Sequence, residues 1–360
     1  MNKIDMKNLG LTEEIFQESQ KYKDLYIGRV SSQYKDMYKV ITEAGEITAE
    51  ISGKFRYYVA VLSQYPAVGD FVMVDRMDNS QGIGVIHYVL KRKSAFIRKT
   101  AGTTNDMQVV ASNIDTVFIC MSINNDFNPR RLERYISIAW DSGATPVVVL
   151  TKSDLCHDIE AKLDQISSIT IGVDVLVTTS ISKDGYSSIT KYITCGQTVA
   201  FIGSSGVGKS TLINRLVGKE IFDTRGIRND DKGRHTTTRR ELVLLPEGGA
   251  VIDTPGMREI GIIGADISKT FTDVEELAAK CRFRDCSHES EPGCAVKKAI
   301  NDGILTTERL ESYKKLKKEA KYDGLNSKMI EKAKINEMFK GMGGIKNARR
   351  YIKEKCRKGM

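Results

Sequence analysis

The stretch "GSSGVGKS" at residues 203 to 210 sets three glycines, a lysine and a hydroxyl at spacings that suit a chain of phosphates. Gly203, Gly206 and Gly208 let the backbone curl so that successive amides, those of Ser204, Ser205 and Val207 among them, can face phosphate oxygens. Lys209 can then reach the β and γ oxygens, and the hydroxyl of Ser210, next to Thr211, can ligate Mg²⁺. An apolar run, "TVAFIG", enters this loop and an amphipathic run, "KSTLINRLVG", leaves it, which is the strand, loop and helix context the chemistry requires.

Three further stretches carry groups that complete a nucleotide site. In "IDTPG" (252 to 256), Asp253 ends a predicted strand where a carboxylate can hold the water shell of Mg²⁺, and the Gly256 amide can meet a γ-phosphate. In "GRHTTTRREL" (233 to 242), one threonine of 236 to 238 is expected to bind the metal, with Thr237 preferred over Thr236 and Thr238. In "VVVLTKSDLC" (147 to 156), Thr151, Lys152, Ser153 and Asp154 follow a buried-strand pattern. Asp154 can accept from both N1–H and the exocyclic amine of guanine, whereas adenine would present it with an acceptor, and the Lys152 stem can lie on the base plane. "TTSISKDG" (178 to 185) follows the next strand, where Ser180 and the Ile181 amide are expected at the guanine O6. These groups imply GTP or GDP with Mg²⁺, and a nucleoside kinase would not need both "DTPG" and "TKSD".

Water activation is less plainly written. The residue after Gly256 is Met257, which has no hydrogen to donate to an attacking water. His235 is the one imidazole close in sequence to the metal-binding threonine. It is assigned as the water-orienting residue beside Lys209 and Gly256, with a structural or RNA-contacting role as the alternative.

Cys281, Cys286, His288 and Cys294 have four, one and five residues between them, in the charged surroundings "RFRDCSHESEPG". Three thiolates and one imidazole form a closed tetrahedral set for one structural Zn²⁺, with no position left for a reactive water. Cys120, Cys195 and Cys356 are expected as packing or surface residues, and the pair Cys156 and His157 is too small for a metal site.

The elements that must position these groups fall into distinct regions. Residues 25 to 92 read as short alternating or apolar runs, "YYVAVL" (57 to 62) among them, and fit a five-stranded barrel of the oligonucleotide-binding type. Its Tyr34, Tyr38, Tyr57 and Tyr58 can be core or base-stacking residues. "LKRKSAFIRKT" (90 to 100) reads as a basic connector. Beyond it, the runs "TVFICMS", "PVVVL", "DVLVTTS", "TVAFIG", "ELVLLP" and "AVID" alternate with helical segments such as "PRRLERYISIAWDSG", which predicts an α/β doubly wound sheet with Trp140 in its core. The expected organisation is an N-terminal extension (1–24), the barrel (25–95), a GTPase domain (108–265), a mostly helical zinc-binding domain (266–325) and a basic tail (326–360).

The chain has 360 residues and a net charge of +9, of which 16 Lys/Arg against 5 Asp/Glu from Lys314 onward supply +11. Basicity concentrated in this way suits a polyanion such as nucleic acid. No run approaches the roughly 18 to 20 apolar residues needed to cross a bilayer, and the N-terminal stretch is too polar for a secretory signal. A cytoplasmic monomer with no membrane association is expected.

The order along the chain is base-reading, base-supporting, phosphate loop, first switch and second switch. A parallel sheet of βα units can be cut and rejoined at surface loops with every contact kept, so the domain is a circular permutation of the usual GTPase order. With "TKSD", "GSSGVGKST", "GRHTTT", "DTPGMRE" and the cysteine cluster in this order, the chain resembles the RsgA (YjeQ) family of circularly permuted GTPases over nearly its whole length. The resemblance implies a barrel, a permuted GTPase and a zinc domain acting on the small ribosomal subunit and its rRNA in late assembly, with GTP hydrolysis stimulated by that partner. The alternative is an RNA-binding module in which nucleotide is mainly structural. One departure stands out: Thr151 occupies the place where asparagine is commonest in GTPases, removing an amide that braces the phosphate loop.

Overall fold

The computed structural model describes residues 3–321 apart from 60, 81, 100–106, 125, 183–184, 221–239, 247 and 254–266, and beyond 321 only positions 329, 332, 335 and 347. His235, Thr236, Thr237, Thr238, Gly256, Met257, Cys356 and most of the basic tail lie outside the described residues.

Five strands close the barrel: β1 (Tyr26–Gln33), β2 (Tyr38–Thr42), β3 (Gly45–Ile51), β4 (Phe71–Val74) and β5 (Gly84–Val89). β1 pairs antiparallel with both β2 and β4, β3 runs parallel to β5, and β5 pairs with β4, which returns the sheet to β1. Period-two alternation puts Val40, Ile47, Ala49, Ile51, Val72, Val74 and Ile86 inside. The run at 57 to 62 is not a strand. Ser52 caps a helix, its hydroxyl accepting from the Phe55 amide at 3.0 Å, so helix α2 (Gly53–Tyr58) takes the first two residues of that run. Tyr57 and Tyr58 are therefore exposed, at 85% and 71%, whereas Tyr38 is core.

The connector at 90 to 100 also carries more structure than expected. Its second half is β6 (Ala95–Lys99), which pairs antiparallel with β7 (Met107–Ser112), and Phe96 is buried. The N-terminal extension, with helix α1 (Glu13–Ser19), inserts Met6, Leu9 and Ile15 into the main core.

The predicted runs form the second sheet: β8 (Thr116–Ser122), β9 (Thr145–Thr151), β10 (Asp174–Val177), β11 (Thr198–Ile202), β12 (Glu241–Leu244) and β13 (Ala250–Asp253). Their spatial order is β10-β9-β8-β11-β13-β12, parallel except for β12, and β12 continues into barrel strand β1 through the pair Ser32 and Glu241. Alternate residues serve opposite faces, as expected for strands buried on both sides. Val117, Ile119 and Met121 share a core with helix α3 (Pro129–Ser142) and helix α4 (Ile159–Ser167). Phe118 and Cys120 share the other with helix α5 (Ser187–Thr190) and helix α6 (Lys209–Val217). Trp140 is only half-buried, with the Lys269 ammonium 5.6 Å from its ring centre, so it edges the core rather than filling it.

Helices α7 (Thr272–Ala278), α8 (Ala295–Asn301) and α9 (Thr307–Lys321) follow. They share one apolar interior with α3: Val274, Val296, Leu310, Tyr313 and Leu316 belong to the same cluster as Ile136. Arg309 of α9, 5% exposed, pairs with Glu133 of α3 at 2.7 Å and with Asp273 at 3.0 Å. Removing one partner of such a buried pair leaves an uncompensated charge at about 3–5 kcal/mol, so the C-terminal helices are held firmly against the GTPase sheet.

Candidate nucleotide site and metal centre

The C-terminal ends of β9, β10, β11 and β13 meet on one edge of the parallel sheet, where a doubly wound fold places its ligand. β11 delivers the loop from Gly203 to Gly208. Gly203 has φ +144°, and an added Cβ there would sit 2.2 Å from the Cys120 carbonyl, so no other residue fits this approach. Gly208, at φ +100°, turns the chain into α6, with Lys209 and Ser210 in its first turn. Lys209 Nζ reaches back over the loop to the carbonyls of Gly203 (2.8 Å) and Ser204 (2.6 Å). Cys120 lies beneath, its thiol pushed up to about 12 by burial, and is a packing group as expected.

Thr151 corrects an inference drawn from the missing asparagine. Its hydroxyl donates to the Val207 carbonyl at 2.6 Å, so the last residue of β9 still braces the phosphate loop. A side chain one bond shorter than asparagine suffices because Val207 is packed directly against the strand ends, fully buried.

Lys152 follows in the left-handed region (φ 58°), which throws Ser153 and Asp154 outward. The Ser153 amide donates to the Thr178 carbonyl at 3.2 Å and so ties the two loops together. Thr179, which sequence reasoning passed over, donates from Oγ1 to Asp154 Oδ1 at 2.5 Å and accepts from the Ile181 amide at 3.2 Å. The only sequence signal for it was its place in "TTS", next to the residues singled out. Asp253 ends β13, which pairs with β11 through Ala200 and Ile252, so its carboxylate belongs to the same edge.

The four zinc-type donors also converge. Their ligand atoms all lie within 4.8 Å of one another. Cys281 Sγ is 3.9 Å from Cys294 Sγ and 3.7 Å from His288 Nδ1, which is 3.4 Å from Cys294 Sγ. Tetrahedral bonds of about 2.3 Å to sulfur and about 2.0 Å to nitrogen require separations near 3.8 and 3.5 Å, so the donor set fits the ion. Cys294 sits at the N-cap of α8, where its sulfur accepts from the Lys297 amide at 3.4 Å. Glu291 organises the loop between ligands. It accepts the amides of Ser287 (2.8 Å), Glu289 (2.9 Å) and Ser290 (3.1 Å), and the Ser287 hydroxyl with the Ser287 and Glu289 amides holds its carboxyl well below the usual range.

A relative from Lactiplantibacillus plantarum, "Small ribosomal subunit biogenesis GTPase RsgA 2", is 48% identical over 353 residues, covering 98% of this chain and 99% of its own length. The chain belongs to the RsgA GTPase family. The family model "RsgA GTPase" matches residues 89–263. A Methanosarcina acetivorans protein, "Small ribosomal subunit biogenesis GTPase RsgA", is 41% identical, covering 91% of this chain and 90% of its own. Two solved structures share the fold. YjeQ from Thermotoga maritima aligns with TM-score 0.61 and 28% identity over 81% of this chain and 97% of its own. YloQ, described as a circularly permuted GTPase, aligns with TM-score 0.59 and 25% identity over 83% and 96%.

The RsgA family membership makes this chain a GTP hydrolase and the order of its motifs a circular permutation. A second model, "ABC transporter", matches residues 186–346, a span containing the phosphate loop that both kinds of nucleotide-binding protein use. Among the described residues no helix is long and apolar enough to cross a membrane.

Proposed function

We propose that this GTPase acts in biogenesis of the small ribosomal subunit, the activity that the names of its relatives carry, and that its nucleotide lies across the ends of β9, β10 and β11. The observation that carries the reading is the bond from Thr151 to Val207, which ties the strand bearing Asp154 to the loop bearing Lys209 so that base and phosphate recognition share one frame. Asp154 reads the guanine N1–H and amine, Lys152 covers the base plane, and Ser180 and Ile181 meet O6. The amides from Gly203 to Gly208 take the phosphates, with Ser204 and Ser205 at the exposed side of the loop.

In hydrolysis, a water attacks the γ-phosphorus as the bond to the β–γ bridging oxygen breaks, giving GDP and phosphate. Lys209 exchanges its two carbonyl partners for β and γ oxygens and stabilises the charge that develops there. Ser210, Thr237 and Asp253 would hold Mg²⁺ directly or through water, and the ion neutralises phosphate charge when bound. The Gly256 amide meets the γ-phosphate. With Met257 unable to orient water, His235 takes that task, and free protein turns over slowly.

The zinc-type cluster and the basic C-terminal segment then face rRNA. In α9 the face carrying Leu310, Tyr313 and Leu316 is buried, while Lys315 and Lys318 point outward. GTP turnover with and without purified small subunits tests the reading. Acceleration by subunits is expected; unchanged turnover would leave an RNA-binding module with a structural nucleotide.

A further inference from the structure

Arg215 lies on α6, the helix that begins with Lys209, yet its guanidinium points to the other end of the site. One Nη donates to the Ser182 carbonyl at 3.0 Å, the other Nη donates to the Ser180 carbonyl, and the group lies over the Tyr186 ring, 5.4 Å from its centre. The loop it grips is exposed, with Ile181 at 75%. The start of the loop is tied down by the Ser153 amide on the Thr178 carbonyl and the Thr179 bond to Asp154, and its turn is closed by the Thr179 amide on the Gly185 carbonyl at 3.0 Å; Arg215 holds the Ser180 and Ser182 carbonyls between them.

We propose that Arg215 is a positioning residue that preorganises the guanine pocket by fastening the base-supporting loop to the phosphate-loop helix. An exposed loop left to itself must be ordered when nucleotide binds, and that entropy weakens affinity. A planar fork donating charge-assisted bonds to two carbonyls two residues apart removes that cost in advance, and it does so with a geometry that lysine cannot reproduce. The permutation makes the arrangement compact, because Ser180 and Arg215 are only 35 residues apart along the chain. From Arg215 a chain of contacts runs through Ser180 and Thr179 to the carboxylate of Asp154, so the helix that answers to phosphates also holds the group that reads the base. The inference rests on the assignment of Asp154 to guanine.

The test is nucleotide competition on the full chain with Arg215→Met, Arg215→Lys and Asp154→Asn. Arg215→Met should raise the Kd for GTP and GDP about tenfold and that for ATP less than about twofold, narrowing the guanine preference, with KM raised and kcat at saturation held. Arg215→Lys should fall between this variant and the parent, and the melting temperature without nucleotide should barely move. Equal weakening of GTP and ATP, unchanged GTP binding, or an Arg215→Lys protein indistinguishable from the parent would each overturn the proposal. Asp154→Asn separates the two readings: if it leaves the base preference intact, the guanine assignment itself fails, whereas a relaxed preference there with none in Arg215→Met rejects the role of Arg215 alone.

Discussion

Thr151 shows how a single hydroxyl can stand in for an expected amide. Thr151→Val keeps the shape and the β-branched preference for a strand but leaves the buried Val207 carbonyl without this donor, a loss of about 1–3 kcal/mol. GDP affinity measured by titration should fall by roughly tenfold, with a small drop in melting temperature. Lys209→Ala differs in kind. Its side chain touches loop carbonyls and fills no core, so turnover should be abolished while the melting transition stays close to that of the parent. Unfolding of the alanine variant would show that the lysine bonds to Gly203 and Ser204 are structural.

The segment from Cys281 to Cys294 carries a donor set that fits one zinc ion, and its order is expected to depend on that ion. It is short, exposed and charged, and its shape rests on four donors and on the amides collected by Glu291. In small clusters of this type ligand binding and local folding are one event. Elemental analysis of freshly purified protein should find one zinc per chain, and Cys286→Ser should lose it. In that variant proteolysis should open the segment, while the barrel and GTPase sheet melt as before, since α9 keeps its own buried anchors in Arg309, Leu310 and Tyr313.

Across the whole molecule, barrel and GTPase are joined by more than the β12–β1 pair. Arg29 of β1 is 1% exposed and donates to the carbonyls of Leu9, Gly69 (3.1 Å) and Asn113 (3.2 Å) and to the Thr198 hydroxyl (2.8 Å). One side chain thus links the N-terminal extension, the barrel, the connection between β7 and β8, and strand β11. Burial lowers its pKa to about 10, against the pull of Asp115 and Asp70, so it remains charged at neutral pH. Arg29→Met should cost about 3–5 kcal/mol, because the Leu9 and Asn113 carbonyls lose this donor, Gly69 keeps only the Asn113 amide, and two aspartates lose a neighbouring charge. Denaturation should then show the barrel separating from the GTPase transition; a single unchanged transition would mean that the β12–β1 continuity alone holds the two together.

What the sequence by itself determined were the features whose chemistry is local. The phosphate loop, the "TKSD" motif, the four-donor Cys/His cluster and the core strands β8, β9, β11 and β13 are written in residue types at short spacing, and the order of motifs disclosed the permutation without any contact being known. Tertiary structure decided the rest, because it turns on groups distant along the chain. Thr151 and Val207 are 56 residues apart, Arg215 and Ser180 are 35 apart, and Arg29 and Thr198 are 169 apart, so no window of sequence contains both partners. Distance also explains the half of the connector that became β6 once β7 lay beside it, whereas the run at 57 to 62 turned on a local signal that its apolar composition masked, the Ser52 cap three residues before Phe55. A strand exists only where another can pair with it, and that partner is chosen by the fold.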